Sequence, residues 1–493
     1  MSTTRARLHD VFDLSMQIGE IMLASGAAAA DVTATMLRLT ASSGIRDVSV
    51  QVTFNELSVS YLPDEEAAPF TRIRAVSGQD LDFAKLDEAE RITSQYIQGE
   101  LSLADASAAA GRLQGAGPLY SRWITTAGWG IMGGAAALGF GASTLVMLFA
   151  AIAAAMIHNM FIVLGRAGLP SFFIQMFGGF LSVLMAILAH LIDPSTNSSI
   201  VVVACIIMLL AGLTSIGAMQ DAITGWYITA SARVLEAVML TIGIVIGVRA
   251  GLVFAAWLGV DITVSARLPG TLLSVVMVAV AGAVMGFGYA VGVQMPRRNL
   301  AVAALLATFS SVIAFALGQA GVERPWAVGV TAFVAGCFAV AAAPVLRTAV
   351  TTLVVGGIIP LMPGSTIYRG LLELSEAPEA GAVTLFTAAS IAVSISAGVI
   401  FGQFFMVWLM AVGQVASSRF VPVLAAPFAT NRRRRMLSSR RRRPAAMTQA
   451  IPVVQLEPGE TDPTVAARAP SGPIPLPDSS STDSESAPEG DSR

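Results

Sequence analysis

Charge is scarce in this chain of 493 residues. Asp, Glu, Lys and Arg together make up 13% of it, about half the share found in soluble domains. Lysine is reduced to Lys85, so positive charge is almost entirely arginine. A formal net charge of −2 leaves no basic field to hold nucleic acid. Two cysteines, Cys205 and Cys337, are too few for a disulfide scaffold, and both sit in apolar runs as small hydrophobes. Three histidines and scattered acids show no ligand spacing, so neither a metal nor a cofactor is expected. What fills the chain instead is apolar: 55% of residues are hydrophobic, and the mean hydropathy is +0.70. This composition describes an integral membrane protein.

Charge divides the chain into parts. Residues 1–118 carry ordinary charged content and read as a small soluble α/β domain. Helical spacing of Val11, Leu14, Met16, Ile18, Ile21 and Met22 predicts a first helix ending at Gly26. A second follows, with Asp31 as its expected N-cap. Alternation in Val48, Val50, Val52 and Phe54, then Leu57, Val59 and Tyr61, predicts two strands joined at Asn55-Glu56. A third strand is expected over Phe70 to Val76, then helices near Asp82–Gln98 and Leu103–Leu113. The acids Asp80, Asp82, Asp87, Glu88 and Glu90 read as a solvated helical face. No catalytic residues are assigned, and the chain is not expected to be an enzyme.

From Trp123 to about Val412, apolar runs reach the roughly 20 residues that span a bilayer. Ten transmembrane helices are predicted, five in a first half (119–260) and five in a second (261–414). The remainder, 415–493, is basic and then rich in Pro, Ser and acid, and is expected to be a disordered tail. The runs Arg432–Arg435 and Arg440–Arg443 follow the last span and place both termini in the cytoplasm of a multi-pass plasma (inner) membrane protein. The same arginines suit contact with membrane lipid.

The run Ile206 to Thr214 resembles Ile358 to Thr366, aligning Gly212 with Gly364. Each run falls in the fourth span of its half. Five spans per half is odd, so the halves would insert upside down relative to one another, an inverted repeat of the kind secondary transporters use. Pro360 and Pro363 each remove a backbone donor, breaking the helix before Gly364. A fresh helix N-terminus at Ser365-Thr366 suits a carboxylate. Freed carbonyls and an acid such as Asp221 suit an ammonium group or a proton. Arg233 and Glu236, three apart on one helix face, are expected to pair. His158, within the second span, is a proton-relay candidate. The glycines from Gly128 to Gly141 read as close helix packing.

Several stretches together resemble the threonine/serine exporter family of bacteria. They are Ala24-Ser25-Gly26-Ala27 with Asp31-Val32-Thr33, Val50 to Phe54, Gln220-Asp221-Ala222-Ile223-Thr224-Gly225, Ser231 to Glu236, and Met362-Pro363-Gly364-Ser365-Thr366-Ile367-Tyr368-Arg369-Gly370. The resemblance covers roughly Arg7 to Gly413. It implies export of L-threonine and L-serine across the plasma membrane, driven by the proton-motive force. The family usually carries Pro-Gly where this chain has Ala211-Gly212, which favours the second half as the site of a broken helix. On this reading Gly364, Ser365 and Thr366, with Gly212 as the counterpart in the first half, bind substrate. Asp221 handles the ammonium group or the coupling proton, Arg233 and Glu236 tune its charge, and His158 is a second relay. An exporter of another small carboxylate or amino-acid-like solute, a channel and a membrane-anchored sensor stay open as alternatives, as does assembly into a homo-oligomer.

Overall fold

A computed structural model describes residues 2–412, apart from residues 46, 63–68, 77–80, 211, 261–270 and 347. The expected tail with its arginine runs, and the expected break over 261–269, lie outside the described residues.

The N-terminal part follows its sequence pattern closely. Helices α1 (Ser2–Ala24) and α2 (Ala29–Ser42) are joined by a turn in which Gly26 takes φ +89°, a conformation that favours glycine. Strands β1 (Val48–Val52), β2 (Glu56–Tyr61) and β3 (Phe70–Ala75) form an antiparallel sheet in that order, with Val50 opposite Val59 and Val59 opposite Arg72. Leu57 and Val59 share one face of β2 and are fully buried, as period-two alternation requires. Phe12 of α1 stacks on Phe70 and meets Tyr61 edge-on, closing the core over the sheet. Helices α3 (Phe83–Ile97) and α4 (Leu103–Gly115) start where Asp82 and Ser102 accept the backbone N–H of Lys85 and Asp105.

One cap differs from expectation. The N-cap position of α2 is Ala28, which has no side-chain acceptor to offer, and Asp31 lies inside the first turn. The N–H of Ala29 is instead bound by Asp221, 192 residues further along the chain.

The membrane part comprises α5 (Arg122–Gly139), α6 (Thr144–Arg166), α7 (Ser171–Ile192), α8 (Ser199–Leu209), α9 (Gly212–Ile223) and α10 (Tyr227–Trp257). After these come α11 (Leu272–Gly292), α12 (Arg297–Gln319), α13 (Arg324–Leu346), α14 (Val350–Ile358), a 3-10 turn (Ile359–Leu361), α15 (Gly364–Glu376) and α16 (Pro378–Val412). Among the described residues seven helices are long and apolar enough to cross a membrane, and eight spans result when the bent pair α14–α15 is counted as one. Their outward faces carry bare apolar side chains such as Leu148, Val253, Phe309 and Phe386, as lipid contact requires. The chain is a multi-pass helical membrane protein. The difference from ten lies in α5, of 18 residues with several Gly and Thr, and in the pair α8–α9, whose first member has 11 residues.

Both candidate broken helices are broken. The 3-10 turn carrying Pro360 ends α14, and α15 restarts at Gly364, with a bend of 44°. In the first half α8 stops at Leu209, Leu210 turns away with ψ 107°, and α9 restarts at Gly212. No proline stands at this interruption, whereas Pro360 and Pro363 mark the bent pair of the second half.

Helices approach one another over glycine. A Cβ on Gly128 would lie 2.8 Å from the carbonyl of Gly288, and one on Gly288 2.7 Å from that of Gly128, so α5 and α11 cross with backbones in contact. A methyl on Gly247 would overlap the Met176 carbonyl between α10 and α7. One on Gly402 would overlap Phe333 between α16 and α13. The packing partners run in parallel: α5 on α6, α6 on α7, α7 on α10, α8 on both α6 and α7, and α9 on α10, then α11 on α12, α12 on α13, α13 on α16, α14 on both α12 and α13, and α15 on α16.

Candidate functional site

The N-terminal part is hydrogen-bonded to one end of the helix bundle, here the near end. Phe83 donates to the Val293 carbonyl just beyond α11, and Thr229 at the start of α10 donates to the Val52 carbonyl of β1. In the linker to α5, the Tyr120 hydroxyl donates to the Met295 carbonyl and its N–H to the Gln294 side chain.

At the near end Asp221 is fully buried. Its carboxylate accepts the Ala29 N–H at 3.0 Å and pairs with Arg233 at 2.8 Å, and Arg233 donates to the Ala27 carbonyl at 3.0 Å. Asp221 thus caps a helix of the N-terminal domain, where a negative charge also suits the positive helix end. The expected pairing of Arg233 with Glu236 gives way to Arg233 with Asp221. Glu236 is half-buried, attracted by Arg233 from a distance, with Oε2 unpartnered.

A second acid does the reverse. Asp87 of α3 is 5% exposed, not part of a solvated face. It accepts from Thr348 Oγ1 (2.6 Å), Asn299 Nδ2 (2.9 Å), the Ala349 N–H (3.0 Å) and Thr352 Oγ1 (3.0 Å), with Arg298 at 3.6 Å. It therefore caps membrane helix α14. The warning in the sequence is its register: Phe83, Leu86, Asp87 and Glu90 fall on one helical face, so Asp87 occupies a stripe that otherwise buries apolar groups. Beside it, burial and the charge of Asp87 push the Glu90 carboxyl up to about 8. Burial likewise raises Asp31, which accepts from Thr351 at 3.5 Å, to about 6.

Beneath this seam is a gap of about 20 Å³, room for one water, between Gly26 and Ala28 above and Gln220, Thr351, Val355 and Gln403 below.

A larger cavity of about 330 Å³ lies towards the far end. Its floor is the broken helix, at Pro360, Leu361 and Met362, with Ile207 of α8. Its walls rise along α5, α11 and α12 to Gly318, Gln319, Val322 and Arg324, at the turn between α12 and α13. Ser311, Gln319 and Arg324 are the polar side chains on a lining otherwise apolar, and Arg324 is its charged one. Arg369 of α15 is close enough to repel Arg324. Sequence reasoning missed this rim, although arginines at span ends opposite the terminal arginine runs go against the usual bias.

The remaining predicted residues fall in separate places. Gly364 packs on Ile207 and is buried, with Ser365 and Thr366 half-buried behind it; the cavity floor is formed by the residues just before them. Gly212 opens α9. His158 is half-buried in α6, stacks on Trp129 at 5.9 Å, and leaves Nε2 unpartnered, and Trp129 in turn meets Tyr289. The structure brings Asp221 and Arg233 together and leaves Gly364 and His158 apart from them. Among the described residues no group of three or more His, Cys, Asp or Glu is placed to hold a metal ion.

Comparison with known proteins follows the same lines. A family model described as a putative threonine/serine exporter matches residues 13–255. A second, described as "Threonine/Serine exporter, ThrE", matches residues 276–405. The chain is 32% identical over 408 residues to a probable threonine/serine exporter of Mycobacterium tuberculosis, covering 80% of this chain and 76% of that one. It is 30% identical over 414 residues to a threonine/serine exporter of Corynebacterium glutamicum, covering 81% and 83%. No solved structure matches.

Proposed function

Because the chain belongs to the threonine/serine exporter family, we propose that it is a secondary transporter that exports L-threonine and L-serine across the plasma membrane at the expense of the proton-motive force. The observation that carries this reading is the cavity floored by a broken helix, with the N-terminal part bonded across the other end of the bundle. A channel needs a continuous path; a site reached from one side at a time is what alternating access requires. At about 330 Å³ the cavity falls in the range of small-molecule sites.

The N-terminal domain is cytoplasmic on this reading, as the terminal arginine runs imply, so the cavity faces outward. Ten spans follow when α5 and the broken pair α8–α9 are added to the eight. The matching packing partners of α5–α10 and α11–α16, and two family models that divide between residues 255 and 276, support two five-span halves related by inversion.

Substrate enters from the cytoplasm when the seam opens. The free N–H groups at Gly364, Ser365 and Thr366 then take its carboxylate, with Gly212 opening the equivalent turn. Asp221 is occupied by Arg233 and Ala29 in this outward-facing form. It becomes available to an ammonium group or a proton only as the seam loosens, with Glu236 holding Arg233 meanwhile. His158 is a second proton carrier. The arginine rim favours a second reading, export of another small carboxylate, since the cavity lining offers a cation and no acid.

Efflux tests the proposal. Cells with and without the protein are loaded with a threonine-containing dipeptide and external threonine is followed, with and without a protonophore. Faster efflux that the protonophore abolishes is expected. Unchanged efflux with the protein present in the membrane removes threonine as substrate.

A further inference from the structure

We propose that Asp87 is the latch residue of the transport cycle: it holds the N-terminal domain across the cytoplasmic mouth by capping α14, and it must leave α14 each time the mouth opens. The inference rests on the transporter reading above and assigns the N-terminal domain a task within it.

The argument begins from what α14 lacks. Its N-cap residue, Ala349, has no side-chain acceptor, so the Ala349 N–H would be an unmet donor inside the protein. Asp87 meets it from another domain and takes three side-chain donors from the same place, Thr348, Thr352 and Asn299. The capped helix is the first arm of the broken span whose kink forms the cavity floor. Asp87 therefore touches neither cavity nor substrate, but fixes the element that does.

The second observation is that the domain is tied to both halves of the bundle. Asp87 binds α12 and α14; Asp221 and Arg233, on α9 and α10, bind Ala27 and Ala29. A rigid body bonded to both halves prevents one from rocking against the other, so at least one tie must break for the near end to open. Asp221 and Arg233 both belong to the bundle, so on that side the domain is held through the Ala29 N–H and the Ala27 carbonyl, and the ion pair stays whole when they part. Asp87 faces hydroxyls and an amide, which water can serve as they separate, and its ion-pair partner Arg298, at 3.6 Å, has a half-exposed side chain that water already reaches. Asp87 grips the first arm of the broken span, so it is the tie that must yield for the kink to move.

The test uses the full chain with Cys205 and Cys337 replaced by alanine. In one arm Asp87→Cys and Thr352→Cys are joined through two disulfides by a short bis-methanethiosulfonate reagent in threonine-loaded vesicles, the extent of linkage being read by mass spectrometry. Efflux is expected to stop on linkage and resume on reduction. Unchanged efflux from fully linked protein overturns the proposal. In a second arm, independent of any substrate, Val355→Cys in lipid nanodiscs reports the buried seam by its labelling with a polar thiol reagent. Asp87→Ala is expected to speed that labelling about tenfold or more, and Asp87→Glu to restore slow labelling. Equal rates in all three overturn the latch. If the chain lacking Cys205 and Cys337 but keeping Asp87 and Thr352 moves no threonine, the transporter reading fails, and the labelling arm still decides the latch by itself.

Discussion

Replacing Arg233 by glutamine is the sharpest probe of how the N-terminal domain is held. The guanidinium is 3% exposed, 2.8 Å from the fully buried Asp221 and 3.0 Å from the Ala27 carbonyl. Its loss strands a carboxylate away from water with the Ala29 N–H as its remaining close partner. Breaking a buried pair on one side costs about 3–5 kcal/mol, whereas removing both charges is often close to neutral. Arg233→Gln is therefore expected to cost about 4 kcal/mol in unfolding free energy. Asp221→Asn should cost less, because its side-chain oxygen can still accept from Ala29 and Glu236 still attracts the stranded arginine. The double variant should cost under about 3 kcal/mol, where additivity would demand more than about 4 and up to about 8. Unfolding in mixed micelles, titrated with denaturing detergent, measures all four forms. A double variant as unstable as its two parents combined, or an Arg233→Gln variant within about 1 kcal/mol of the parent, would refute the pairing.

Three other outcomes follow. Glu90 and Asp31 bind protons more tightly folded than unfolded, so the seam should lose stability as pH rises, from 4.5 to about 8 for Glu90 and from 3.8 to about 6 for Asp31. Asp87, Asp31 and Arg38 are the charges that act on Glu90, and Glu90→Gln should flatten the stability profile above pH 6; an unchanged slope removes Glu90 as its source. A methyl at Gly364 overlaps Ile207 Cγ1, while the Ile207 backbone N stays 3.3 Å away, so Gly364→Ala should lower the yield of folded protein and added Ile207→Ala should recover it, as size-exclusion profiles will tell. External threonine should slow efflux by occupying the cavity, and Arg324→Gln should weaken that inhibition about tenfold, the worth of one charge-assisted hydrogen bond; threonine amide, without the carboxylate, should inhibit both forms alike, and equal inhibition by threonine would remove the arginine from recognition.

The two ends of the bundle together show how a small domain serves a large one. The cavity lies towards the end away from the N-terminal part, and at the other end an acid on each side caps a helix of the other. Neither α2 nor α14 carries its own side-chain cap. Each is completed only when the domain is docked, so docking and local helix stability are one event.

What the amino-acid order determined by itself is local. Apolar runs long enough to cross a bilayer, the alternation that sets Val50 opposite Val59, and the prolines that end α14 before Gly364 all act over a few residues, and a periodic pattern reports them directly. The partners of charges are not local. Arg233 lies three residues from Glu236 yet binds Asp221, because the return of α10 against α9 brings that carboxylate closer. Asp31 has the right chemistry for the cap of α2, but the cap is Asp221, and an acid that looks solvated in α3 completes a helix that starts 262 residues away. The break at Leu210 forms without proline. A buried N–H needs an acceptor within about 3 Å and is indifferent to where in the chain that acceptor comes from. Only the packed structure says which one arrives.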